Sequence, residues 1–241
     1  MNLIKRILHP SLEPNELAWI TANKSVIDEV IKRIDLKLNI GAKPENFHLE
    51  PDRVFYRKPI NQKAEIMCNK IGLSNKPTIN MGHIHPGRGG EFKRMPGVAF
   101  DLNTKNIEST QDSKSFVINI SEKYSRNARI ASAVLAHEIT HFYLYQHRLM
   151  DFINADRKME EMKEESICET VTFLIGLGKI YLNGLYGSGL MPRLPLYIFI
   201  YIYERINFIK GIPPKISRKN LEANIKKIIL RMSNHQELIE S

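Results

Sequence analysis

His137-Glu138-Ile139-Thr140-His141 gathers two imidazoles and a carboxylate within five residues. On an α-helix, residues four apart lie one turn apart on the same face. His137 and His141 can therefore present both rings to one metal ion. Glu138 is turned about 100° from His137, so it can reach a water at the ion without being a ligand. Zinc lowers the pKa of such a water, and a neighbouring carboxylate can take its proton. The HExxH pattern thus points to zinc-dependent hydrolysis, with Glu138 as general base. The flanking Ala133-Val134-Leu135-Ala136 and Ile139 are small or apolar, as expected of a buried helix.

A catalytic zinc takes three protein ligands and keeps one position open. The two cysteines, Cys68 and Cys168, form no CxxC pair, and Cys168 reads as a small buried hydrophobe. The segment after the motif carries Glu160, Glu161, Glu164, Glu165 and Glu169. Acidic residues are favoured near a helix N-terminus, so most of these read as a solvated face. Glu165 stands where the segment turns apolar, ahead of Ile167, Val171, Phe173 and Leu174. Its carboxylate can point inward, which makes it the expected third ligand, with Glu161 and Glu169 as the alternatives one turn away. Glu169 can also accept a hydrogen bond from a ligating histidine.

These residues need elements to position them. Apolar spacing predicts helices over residues 12–40, 62–71, 126–147, 156–181 and 195–210, and an amphipathic helix in the tail through Leu221, Ile225, Ile228, Ile229 and Met232. Ser125 offers a cap for the HExxH helix. Residues 45–60 read as irregular or strand-like. Strands are expected over 77–81, 97–102 and 115–120, with a Gly- and Pro-rich loop over 83–90 that holds His83 and His85. That pair reads as exposed or cleft-lining, and His147 as a helix-end residue. Tyr143, Tyr145, Tyr201 and Tyr203 include possible donors to a developing oxyanion.

The two zinc motifs resemble those of gluzincin metallopeptidases. Glu164-Glu165-Ser166-Ile167-Cys168-Glu169 is similar to the Glu-Glu-Gly-x-Cys-Gln signature of the plant organ-size-regulating LIM peptidases. Glu165, Glu169 and Ile175-Gly176-Leu177-Gly178 resemble a related bacterial pattern, which has aspartate where Glu169 stands. The resemblance covers roughly residues 65–210. It implies an α+β fold: a small sheet packed on a zincin core of HExxH helix and glutamate-donating helix. It also implies that the strand before the HExxH helix is a sheet edge that receives an extended peptide. The matching residues are Phe116, Val117, Ile118, Asn119 and Ile120. The expected organisation of the chain is a helical accessory region over 1–60, a zinc peptidase domain over 61–212 and a C-terminal helix over 213–241.

Composition fits a soluble globular chain of 241 residues, 43% hydrophobic and 25% charged. The net charge of +9 is spread along the chain, and no nucleic-acid motif accompanies it. Leu194–Tyr203, the most apolar run, is shorter than the roughly 20 residues of a membrane span. The expectation is a cytoplasmic zinc peptidase acting on peptide or protein substrates. The rival is a non-catalytic zinc-containing interaction or regulatory protein.

Overall fold

The computed structural model describes residues 14–38, 44–82, 90–94, 116–124, 126–149, 164–185 and 196–233. Helix α1 spans Pro14–Leu38 and buries Ile20, Ile27, Val30, Ile31 and Ile34 at the expected spacing. A 3-10 turn over Pro44–Asn46 follows. The chain then forms α2, Arg53–Arg57, where irregular or strand-like chain is expected. The cause is local: the Asp52 side chain caps the helix by accepting from the Phe55 N–H at 2.7 Å. Helix α3 covers Ile60–Lys70.

Strand β1 is Thr78–Gly82, β2 is Gly90–Arg94 and β3 is Phe116–Ser121. They form one sheet in the order β1-β3-β2. β3 runs parallel to β1, with Ile79 opposite Ile118, and antiparallel to β2, with Phe92 opposite Ile118. β3 is therefore the central strand, and Phe116, Val117, Ile118, Asn119 and Ile120 do not form a sheet edge. Both sides of its backbone are engaged, so it has no free ladder for a substrate strand. A short strand that mates on both sides and one that lies at an edge share the same apolar run, which is why the pattern misleads. β2 lies wholly outside the expected strands, and its first residue belongs to the expected loop over 83–90. Residues 83–89, with His83 and His85, and the expected strand over 97–102 lie outside the described residues.

Helix α4, Ala128–Gln146, carries the HExxH residues. Its cap is Asn127, not Ser125: the Asn127 side chain accepts from the N–H groups of Arg129 and Ile130, each at 3.2 Å. Of the long helix expected over 156–181, residues 156–163 lie outside the described residues, and the rest falls in two helices, α5 (Glu164–Leu174) and α6 (Gly178–Leu185). Gly176 separates them at φ 85°. A side chain there would be strained by that φ and would strike the Phe47 carbonyl. Asn183 and Gly184 lie within α6. Helix α7, Leu196–Ile209, is the apolar run and is buried along most of its length. The short α8 (Pro214–Ser217) and α9 (Ala223–Ser233) close the described chain. No described helix is long and apolar enough to cross a membrane.

α4 is the hub. It packs against β2 and β3 on one side and against α3, α5 and α6 on the others. α7 packs behind α5 and α6 and receives α1 and α9. One buried apolar cluster runs from Ile20 to Met232, so the N- and C-terminal helices share the core of the HExxH helix. Ion pairs fasten its rim. Arg205 of α7 bonds both carboxylate oxygens of Asp28 on α1, at 2.8 and 3.0 Å. Lys179, fully buried, donates to Glu50 at 2.5 Å and to the Ile216 carbonyl at 2.7 Å.

His48 joins the loop after α1 to α7. Its Nε2 lies 2.7 Å from Asn207 Oδ1, a donor-to-acceptor contact that fixes the neutral tautomer, and its buried Nδ1 has no hydrogen-bond partner. Burial, with the Lys179 and Lys70 charges, pushes its pKa from 6.5 to about 3, against the favourable Asn207 bond. The folded state therefore holds His48 neutral where the unfolded chain binds a proton. Stability from this site is complete above pH 6.5 and falls as pH drops toward 3. Urea unfolding between pH 7 and pH 5 should show a loss approaching about 1.4 kcal/mol per pH unit from this group. His48→Gln should flatten that slope. An unchanged slope in the variant would remove His48 as its source.

Candidate metal centre

α4 brings His137 and His141 to one face, half-buried, while Glu138 beside them is buried. The two Nε2 atoms are 3.1 Å apart. Nitrogens each about 2.0–2.1 Å from a tetrahedral ion stand about 3.3 Å apart, so the pair is already at ligand spacing. Cys168 of α5 completes a trio, in which one donor atom from each residue lies within 4.8 Å of the others. The sulfur is fully buried, 3.9 Å from His137 Nδ1 and 3.6 Å from the His137 carbonyl oxygen. Its widest spacing is about 1 Å beyond that of a closed tetrahedral set, within reach of a side-chain torsion. Burial alone would raise the Cys168 thiol pKa. The imidazoles of His141 and His137 outweigh it and hold the pKa below the ordinary value.

Two devices hold these helices in register. The Thr172 hydroxyl donates to Thr140 Oγ1 at 3.0 Å and shares that proton with the Cys168 carbonyl at 2.9 Å. Thr140 in turn donates to the Ala136 carbonyl at 2.8 Å. This hydroxyl ladder ties the turn after Cys168 to the turn between the histidines. On the other flank, the Tyr181 ring of α6 stacks on His137, with centroids 6.0 Å apart and planes at 16°. Its hydroxyl donates to the buried Glu169 at 3.0 Å. Glu169, expected to steady a ligating histidine, thus orients the ring that lies against His137.

Glu165 lies in the first turn of α5, three residues before Cys168. Its side chain lies outside the described residues, as does Glu161 altogether. Cys168 is the candidate donor that sequence reasoning missed. The signal was its spacing, since a residue three after a proposed ligand shares that ligand's helix face. Tyr181 was missed because the expected single helix hides the turn at Gly176. Among the expected tyrosines, Tyr203 donates to the Ser217 carbonyl at 2.5 Å and belongs to the His48 cluster. Tyr143 packs on His147 at 4.2 Å between centroids.

Comparison with family models, curated proteins and solved structures finds no match for this chain, so the likeness to gluzincins rests on the motif residues alone.

α6 reaches α4 because Gly184 lets the two helices touch. A Cβ at Gly184 would lie 2.5 Å from the Arg129 carbonyl oxygen and closer still to Ala133 Cβ. Gly184→Ala should push α6, and Tyr181 with it, away from His137. We expect a stability loss of about 1–3 kcal/mol, as for other overpacked helix contacts. Chemical denaturation checks it, and an unchanged midpoint would show that the helices have slack at this point.

Proposed function

We propose that this chain is a zinc-dependent hydrolase, with peptide or protein chains as substrate. The observation that carries this reading is the HExxH imidazole pair at 3.1 Å, with a third donor from α5 beside it. His137 and His141 would hold the ion, and α5 would supply the remaining protein ligand from Glu165 or Cys168. Zinc held there would supply Lewis-acid activation of water and of a carbonyl group. Glu138 would accept the proton of the attacking water and pass it to the leaving amine. Tyr181 and the threonine ladder would hold the His137 ring and the facing helices in place while the proton moves.

The fold also suggests where an extended substrate would dock. β2 packs against α4, and among the described residues no strand pairs with its outer edge. A peptide added there by backbone hydrogen bonds would run beside the HExxH helix. That moves the docking strand from β3 to β2.

A sulfur donor beside the pair also favours the rival reading, a non-catalytic zinc-containing interaction protein, because thiolates are common in closed four-ligand sites. Glu138→Gln separates the two. The amide is nearly isosteric with the carboxylate but cannot take a proton near pH 7. The variant should keep its metal and lose hydrolysis of a labelled unstructured protein by about 10²- to 10⁴-fold. Metal content and cleavage are measured on the same preparation. A metal-replete variant as fast as the wild type would remove Glu138 from the chemistry, and a metal-replete wild type with no cleavage would leave the site structural.

A further inference from the structure

Resting on the metal reading above, we infer that the third protein ligand is the Cys168 thiolate, which makes the centre a His2Cys site rather than the His2Glu site that the motif spacing suggests. Three observations point there. The sulfur is fully buried, and its surroundings are not purely apolar: Nδ1 of His137, the ring nitrogen other than the one that faces His141, lies 3.9 Å away. It closes a trio whose donor atoms lie within 4.8 Å of one another. The backbone that carries it is the segment the Thr140–Thr172 contact locks to α4, so the sulfur's distance from the imidazoles is built into the helix packing. A structural cysteine at a helix crossing needs no such lock and no imidazole neighbour.

The ligand type has a consequence for the ion. Thiolate with two imidazoles is a soft to borderline set, which suits zinc, cobalt(II) or iron(II) and disfavours magnesium and calcium. Three protein donors also leave a tetrahedral ion one position for water, so a cysteine ligand here is compatible with hydrolysis. Metal uptake would release the thiol proton as the sulfur–metal bond forms.

Cobalt(II) reports the ligand directly, because a thiolate bound to it adds a sulfur-to-metal charge-transfer band in the near ultraviolet to the visible ligand-field bands. The full chain, stripped and reloaded with cobalt(II), should show both. Cys168→Ser should lose the charge-transfer band, and its zinc affinity should fall by more than about 100-fold, beyond the range for residues that only orient a ligand. Cys68→Ser should keep the band. The chain has two cysteines, so the Cys68→Ser spectrum assigns the sulfur even where Cys168→Ser does not fold. Cobalt(II) bound with no charge-transfer band, or a band that survives Cys168→Ser or vanishes in Cys68→Ser, overturns the thiolate ligand and leaves the hydrolase reading with Glu165. A chain that binds no cobalt(II) overturns both. A chain that shows the band but cleaves no substrate supports the ligand and removes the hydrolase reading.

Discussion

Two imidazoles one turn apart on an otherwise apolar helix set the terms for the rest of this structure. Most of α4 is buried, so its polar groups there, Ser132, Glu138 and Thr140 in the core and the half-buried His137 and His141 beside them, need partners. The chain meets that demand by bringing polar groups of matching kind to the same face. Thr172 meets Thr140, Cys168 meets His137, and the Tyr181–Glu169 pair backs the His137 ring. Each partner comes from α5 or α6. The packing of these two helices on α4 therefore assembles the site, and the sheet, α7 and the terminal helices serve to press the three together.

The break between α5 and α6 follows from the same demand. A continuous helix would carry Tyr181 past the face that holds Cys168 and Glu169. The left-handed Gly176 turns the chain, and Gly184 lets α6 settle onto α4 at near-contact distance. The same turn seats Phe47 and leads into the His48–Asn207–Tyr203 cluster, where polar groups of the N-terminal loop, α7 and α8 meet. One glycine thus joins the site side of the molecule to its far rim.

Most helices were legible because burial on one face leaves a periodic record. The ranges of α1, α3, α4, α7 and α9 follow apolar spacing closely. The HExxH pattern was legible for the same reason, because it places two imidazoles at a fixed spacing on one helix. What spacing does not record is which elements become neighbours. The Phe116–Ile120 run looks the same whether its strand has one partner or two, and pairing with β2 placed it at the centre. Cys168 looks like any small apolar residue until α5 is set against α4. Gly176 resembles Gly184 in sequence, yet one turns the chain at positive φ and the other stays helical so that a neighbour can approach. Such distinctions arise from tertiary contact, which one-dimensional patterns carry only weakly.

The central claim is that α4 and α5 together form a metal site. Elemental analysis of the purified full chain, followed by equilibrium dialysis of zinc after chelation, tests it most directly. The account predicts about one zinc ion bound per chain, lost with a strong chelator and regained on dialysis, with His141→Ala unable to regain it. A well-folded wild-type chain that takes up no zinc, or a His141→Ala chain that retains a full complement, would contradict it.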